Sequence, residues 1–312
     1  MTWWEALILG IVQGLTEFFP VSSSGHLVIG QELLGLAIPG IVFDVVVHVA
    51  TLISVLIVYR GTVARLIRGA FIRGEESTWP YILKIGLATI PAVIVGFTLR
   101  DWFEARFDDP IFAGTMILVT GCVVWSSRWA LGTHRIGILE LIPIAVAAIL
   151  SLLAGTAIPF LAVLAMQSVL MFIARATTSQ TGREKEPTFG GALIMGIAQA
   201  IAIFPGISRS GSTVVAALWR RIDPAAAAEF SFLMSIPVIL GAAMLQVPDA
   251  LRGGDPGVSL FALTVGFIGA AASGILAIRF FVALLKRQNF HIFAYYCWVA
   301  AGLFLLVVPT GV

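Results

Sequence analysis

Three groups of residues carry side chains capable of acid–base, nucleophilic or anion-binding chemistry. Gln13 and Glu17 are four apart, so a helix sets both on one face, aimed toward the break Phe19-Pro20-Val21-Ser22-Ser23-Ser24-Gly25-His26. The third group is Ser208-Arg209-Ser210-Gly211-Ser212-Thr213, which follows Phe204-Pro205-Gly206-Ile207. Each Ser-rich cluster opens a helix. Free amides at a helix start, the positive end of its dipole and nearby hydroxyls together make an anion site, and two such starts meeting would grip two phosphates. Arg209 adds a planar fork for bidentate contact with phosphate oxygens. His26 titrates near neutrality and can serve as acid, base or nucleophile.

Each of these also has a plain structural reading. Serines before a helix are N-caps, Glu17 can cap a neighbouring helix, and a lone His is commonly a satisfied structural residue. His26 gains weight from Ser23 and Glu17, whereas His48, His134 and His291 lack such company. Asp44 and Glu229 are explained as well by helix-start stabilisation, and Asp223-Pro224 reads as an N-cap followed by Pro at the first helical position.

The elements that must position these groups follow from composition. Of 312 residues, 59% are hydrophobic and 12% charged, and mean hydropathy is +1.00. Soluble domains carry about twice that charged fraction, so the chain is an integral membrane protein with room for roughly eight to ten helical segments. A soluble enzyme, a disordered chain and a secreted disulfide module are excluded. The apolar runs are continuous, so the spans are helices and not barrel strands. A net charge of +2 is too small to suggest nucleic-acid binding. Cys122 and Cys297 lie in apolar runs and read as small packed hydrophobes.

Uninterrupted spans are expected at about 41–59, 79–99, 110–131, 138–155, 158–174, 225–247, 259–285 and 290–309. Segments 3–36 and 189–220 differ, because Pro, Gly and the polar clusters break each in its middle. A helix over 3–18 is about 24 Å long, short of a roughly 30 Å hydrocarbon core. Each break therefore predicts a re-entrant helix–loop–helix hairpin facing a cavity. The breaks also align at an offset of 186, matching Gly10, Gln13, Phe18, Ser22, Ser24 and Gly25 with Gly196, Gln199, Phe204, Ser208, Ser210 and Gly211. Paired broken segments point to a central site built by an internal repeat. Arg60, Arg65, Arg68 and Arg73 form a basic, cytoplasmic loop. Asp101, Glu104, Arg106, Asp108 and Asp109 form an acidic, external one. Arg220 and Arg221 precede the span at 225–247, Asp249, Arg252 and Asp255 follow it, and Lys286 and Arg287 follow the next. The repeat is then inverted. The expected fold is an all-α integral membrane protein, an inverted-topology repeat with two re-entrant hairpins and about six to eight transmembrane helices. Its single polytopic domain divides into one half at about 1–131, additional helices at about 132–174, a cytoplasmic joint at 175–187 and a second half at about 188–312.

With both motifs in order, the chain resembles the undecaprenyl-diphosphate phosphatase family, the bacitracin-resistance proteins. The residues that carry the resemblance are Gly14-Leu15-Thr16-Glu17-Phe18-Phe19-Pro20 through His26, Pro205 through Thr213, and Glu229-Phe230-Ser231-Phe232. The resemblance implies a bacterial inner-membrane enzyme that hydrolyses undecaprenyl diphosphate to the monophosphate and inorganic phosphate, with its active site open to the periplasm. It also implies a divalent cation, Mg²⁺ or Ca²⁺. Gln13 and Glu17 fill the family's metal-associated Glu/Gln-x-x-x-Glu pattern, with Gln at 13 where some members have Glu. Ser23 matches the proposed nucleophile, His26 the essential histidine, and Ser208, Arg209 and Thr213 the phosphate-binding motif. As members of the two helix starts, Ser22, Ser24, Gly25, Ser210 and Gly211 are further candidates for binding the diphosphate. The stretch 132–174 is longer than the family leads one to expect, and reads as a peripheral pair or a contact for a homodimer.

Two rivals compete with a phosphatase. Inverted repeats with broken helices are common in secondary transporters and lipid flippases, although a carrier has no need of nucleophile, base and acid together. A membrane phosphatase of the acid-phosphatase type needs an Arg-Pro motif and a His-x-x-x-Asp, and neither occurs.

Overall fold

The helix boundaries follow from caps and breakers. Helix α1 (Trp3–Phe18) starts on a capping box: Thr2 Oγ1 accepts from Glu5 N at 3.4 Å, and the Glu5 carboxylate accepts from Thr2 N at 2.7 Å. It ends at Phe19, held extended as a residue before Pro must be. In chain order come α2 (Ser23–Leu33), α3 (Ile41–Val58), α4 (Arg60–Phe71), α5 (Trp79–Thr98), α6 (Pro110–Ala130), α7 (Ile142–Leu153) and α8 (Ile158–Ala176). Then follow α9 (Phe189–Ile201), α10 (Arg209–Trp219), α11 (Pro224–Arg252), α12 (Leu260–Lys286) and α13 (Ile292–Val307). The computed structural model describes residues 1–36, 41–72, 78–99, 102–103, 109–132, 137–153, 155–176, 183–252 and 258–307. Arg73, Asp101, Glu104, Arg106, Asp108, His134 and Asp255 lie outside the described residues, as do residues 177–182 of the expected joint.

Four described helices are long and apolar enough to cross a membrane: Trp79–Thr98, Ile111–Ala130, Pro224–Gln246 and Leu260–Lys286. A fifth is gained if α3 and α4, bent by 83° at Tyr59, count as one span. The protein is therefore an all-α multi-pass membrane protein. The remaining expected spans exist as shorter apolar helices at Ile138–Leu153, Ile158–Ala174 and Ile292–Leu305. The expected loop bearing Arg60, Arg65 and Arg68 is instead helix α4, a correction. Those three arginines are exposed beside exposed Ile67, Phe71 and Ile72, while Gly69 is buried against Thr78.

Helices α1 and α2 pack on each other, as do α9 and α10, and at 1.5 Å per residue none reaches more than about 24 Å. The first helix of each pair is seated on a helix far along the chain. A Cβ on Gly10 would strike the backbone of Gly266 in α12, and one on Gly196 would strike the backbone of Ala88 in α5. Close approach of this kind, through small residues, is how helices associate where lipid is as apolar as leucine. Hydroxyls reinforce it: Ser273 Oγ donates to Ile11 O at 3.2 Å, and Ser54 Oγ to Ala271 O at 2.9 Å.

The segments bearing Arg60, Arg65, Arg68, Arg220 and Arg221 come together. Thr62 of α4 donates to Glu229 at the start of α11 (3.0 Å), and the backbone of Glu184 bridges Arg221 and Asp223, where α10 turns into α11. Asp223 caps α11 as expected, accepting from Ala225 N at 2.9 Å. Helix α9 leaves this region from its Thr188 cap, and α10 returns to it.

Helices α7 and α8 form a pair on the flank of α6. A buried ion pair anchors the turn Ile138–Leu141 that leads into α7, with Arg128 Nη2 of α6 donating to Glu140 Oε1 at 2.7 Å and both side chains 2% exposed, and Gln167 of α8 donates to Glu140 O at 3.3 Å. Trp125 Nε1 (2.8 Å) and Trp129 Nε1 (3.2 Å) also donate to that carboxylate, and the Arg128 guanidinium lies over the Trp125 ring. Buried charges persist where they are paired and fully hydrogen-bonded, and here the pair is shared between two elements.

Candidate active site

The first loop is a tight reversal at the end of α1. Val21 N closes on Phe19 O at 2.8 Å, and Ser22 takes φ +71°, the left-handed region that disfavours a side chain by about 1–2 kcal/mol. The surroundings compensate by using the loop's carbonyls. Ser210 Oγ donates to Phe19 O (3.2 Å), Cys297 Sγ to Pro20 O (3.3 Å) and His26 Nδ1 to Ser22 O (2.7 Å). Buried backbone acceptors must find such partners.

The second loop is built alike. Gly206, at φ +93°, lies against the Ala113 carbonyl where a Cβ would not fit. Thr120 of α6 donates to Gly206 O (2.9 Å) and accepts from Ser208 N (3.0 Å). Ser208 then caps α10, its Oγ accepting from Gly211 N at 3.2 Å. A Cβ on Gly211 would press on Pro20, so the two loops touch.

Glu17 joins them. Its Oε1 accepts from Arg209 Nη2 at 2.6 Å, 192 residues away in sequence. Its Oε2 accepts from Ser23 Oγ at 2.8 Å and Gln13 Nε2 at 3.0 Å, and lies 3.9 Å from His48 Nε2. The carboxylate is buried, with 8% of its side chain exposed. The Coulomb attraction of the guanidinium and these hydrogen bonds offset the cost of placing a charge there. Two polar atoms remain over. Arg209 Nη1 and Gln13 Oε1 are buried and make no hydrogen bond among the described residues, one a cationic donor and the other a neutral acceptor. Buried polar groups without partners are uncommon, and at a site they mark where a ligand belongs.

Of the residues singled out from sequence, Gln13, Glu17, Ser23 and Arg209 meet directly. Ser22 and Ser24 face each other at 3.4 Å, and Gly25 packs on Ile117 of α6. Ser208, Ser210 and Thr213 turn their hydroxyls into the protein: Ser210 to Phe19 O, and Thr213 to Arg209 O (2.8 Å) and Ser231 Oγ (2.6 Å). They shape the loop that presents Arg209. Helix α3 brings His48 against Glu17, contrary to the expectation that His48 has no company. The available signal was an ionisable side chain within an apolar span. Tyr296 of α13 also reaches the site, its hydroxyl 2.8 Å from His26 Nε2. No pattern in sequence marks it.

For a hard cation the donors are Glu17, Gln13 Oε1 and Ser23 Oγ. No cluster of three or more His, Cys, Asp or Glu occurs among the described residues. A small cation held by one carboxylate and completed by substrate phosphate oxygens fits this oxygen set.

Comparison with known proteins agrees with the motifs. The family model described as Bacitracin resistance protein BacA matches residues 6–157 and 130–303. Undecaprenyl-diphosphatase 3 of Bacillus cereus is 37% identical over 100% of both chains. The undecaprenyl-diphosphatase of Halothermothrix orenii is 34% identical over 99% of this chain and 98% of its own. That of Desulfatibacillum aliphaticivorans is 33% identical over 98% and 99% respectively. The match to the B. cereus protein runs end to end and so includes 132–174. With its model matched across nearly the whole chain and relatives above 30% identity over their full length, this chain belongs to the bacitracin resistance protein BacA family.

Proposed function

We propose that this protein hydrolyses undecaprenyl diphosphate to undecaprenyl phosphate and inorganic phosphate, returning the lipid carrier to peptidoglycan synthesis and conferring bacitracin resistance. The observation that carries the reading is the chain Ser23 Oγ to Glu17 to Arg209, with Arg209 Nη1 left over. A guanidinium already fixed by one carboxylate, with a second nitrogen unpartnered, is pre-organised for a phosphate oxygen.

Arg209 holds the terminal phosphate, and the starts of α2 and α10 face its charge with their dipoles. Ser23 attacks the terminal phosphorus while Glu17 accepts its proton, the two oxygens being 2.8 Å apart. The bridging P–O bond breaks, the lipid monophosphate leaves, and water then releases phosphate from the serine. His26 does not serve Ser23 as base, because its nitrogens face Ser22 O and Tyr296 Oη. Glu17, Gln13 Oε1 and Ser23 Oγ would hold Mg²⁺ or Ca²⁺, which when bound neutralises charge on the phosphate oxygens.

We place the protein in the bacterial inner membrane with its basic end, bearing Arg60, Arg65, Arg68, Arg220 and Arg221, in the cytoplasm. Helices α9 and α10 rise from that end as a re-entrant hairpin, and α1 with α2 forms its counterpart. The exchanged seating of Gly10 on α12 and Gly196 on α5 supports an inverted repeat with interlocked halves. The site then opens toward the periplasm, and the polyprenyl chain lies between helices.

The test is phosphate release from a C55 diphosphate by detergent-purified protein, with and without EDTA. Stoichiometric release that EDTA abolishes and Mg²⁺ or Ca²⁺ restores is expected. Movement of lipid in vesicles without release would instead favour a carrier, and release indifferent to EDTA would remove the cation from the reading.

A further inference from the structure

His26 is left with one nitrogen for chemistry, and that nitrogen is already met. The Ser22 carbonyl has no proton to give, so Nδ1 carries the hydrogen of their 2.7 Å bond. The tautomer is thereby fixed, and Nε2 is the atom that gains or loses a proton. Nε2 lies 2.8 Å from Tyr296 Oη, and the two rings are nearly parallel, 16° apart with centroids at 5.6 Å. The contact spans 270 residues and is made by α13, which Cys297 pins to the first loop through Pro20 O. Tyr296 is about half exposed, at 48%. A phenol oxygen that meets Nε2 still has capacity for a second hydrogen-bond partner.

We propose that the Tyr296 phenol is the relay through which His26 delivers a proton to the leaving lipid phosphate. The proposal rests on the phosphatase reading above. A phenol both donates and accepts, so it can take a proton on one side as it gives one on the other. In the step, imidazolium Nε2–H breaks and its proton joins Oη. The phenol's original O–H proton passes to the bridging oxygen, which receives the electron pair of the breaking P–O bond. The phosphoryl group goes to Ser23 Oγ, whose proton goes to Glu17. His26 ends neutral, with Nε2 accepting from the re-formed phenol O–H.

The test compares purified Y296F, H26Q and the double variant on the C55 diphosphate, with Y295F as a control for loss of a neighbouring exposed phenol. The relay predicts a fall in kcat of at least about 100-fold for Y296F, within the range for general acid catalysis, with KM changed less than about threefold. H26Q should fall comparably and the double variant no further, since groups acting as a unit are not additive. Y295F should keep wild-type kcat, and all four variants should elute as the wild type does. If the phenol only occupies Nε2, Y296F will match or exceed wild-type kcat while H26Q stays impaired, and the relay is overturned with the phosphatase reading intact. Multiplying losses in the double variant, or an equal loss in Y295F, would overturn it too. Full activity in H26Q would remove the acid role of His26 and the relay with it, leaving phosphate release itself established.

Discussion

Replacing Arg209 by Lys separates two jobs that one side chain performs. The guanidinium spends Nη2 on Glu17 Oε1 at 2.6 Å and leaves Nη1 buried without a hydrogen-bond partner among the described residues. A lysine ammonium is a point charge on a flexible stem and does not reproduce that fork. It can keep Glu17 paired, but it loses the second, geometrically fixed donor to phosphate. A hydrogen bond to a charged group contributes about 1.5–3 kcal/mol. At 1.36 kcal/mol per decade of rate, R209K should lower kcat/KM roughly 10- to 150-fold. Stability should change little, because Glu17 keeps a cation. R209A removes both contacts and strands a carboxylate. A fully buried pair broken this way costs about 3–5 kcal/mol. The Arg209 and Glu17 side chains are 15% and 8% exposed, which puts the expectation at the low end of that range. The assay is phosphate release from C55 diphosphate in micelles, paired with the unfolding midpoint of each variant. R209K within threefold of wild-type kcat/KM, or as unstable as R209A, would refute the division of labour.

Two further outcomes follow from packing. E140A leaves Arg128 buried with its carboxylate gone, so unfolding in micelles should occur with about 3–5 kcal/mol less stability. Pairing it with R128L should recover most of that, and the phosphate release of folded protein should hardly change, since the Glu140 carboxylate is held by Trp125, Arg128 and Trp129 whereas Glu17 is held by Gln13, Ser23 and Arg209. G196V sets a branched side chain against the backbone of Ala88, which cannot step aside, and should cost at least 1–3 kcal/mol in the same assay by overpacking. G241A, where a Cβ meets nothing within 4 Å, is the matched substitution that should be tolerated.

The sequence made the hairpin tips legible because ionisable and hydroxylic residues are costly in an apolar chain and so stand out. Glu17 and Arg209 were visible as lone opposite charges beside two similar breaks, and the 2.6 Å contact joins them. What stayed hidden was anything set by tertiary geometry. His48 is one ionisable residue in an apolar span, and only the seating of α3 puts it 3.9 Å from Glu17. Tyr296 sits among the aromatics of α13, and nothing local distinguishes it from Tyr295. Ser208 and Thr213 read as phosphate ligands because hydroxyls at a helix start suit either an anion or a cap. The structure sends them to Gly211 N and Ser231 Oγ. Arg60 to Arg68 read as a loop because charges follow an apolar run, yet spacing them with Ala64, Leu66 and Ile67 makes α4 an amphipathic helix.

The seating of α1 on α12 bears on how the protein is made. Ile11 and Ser273, which bond across that contact, are 262 residues apart. At about 5–20 residues per second, a ribosome needs roughly 13–50 s to produce the second after the first. Throughout that interval the glycine face of α1 has no helix to lie on, and Glu17 lacks Arg209 for most of it. The first hairpin is therefore inserted early and docked late. A nascent chain halted before α12 emerges has the nucleophile, the carboxylate and the histidine already synthesised, but not the helix on which α1 is seated.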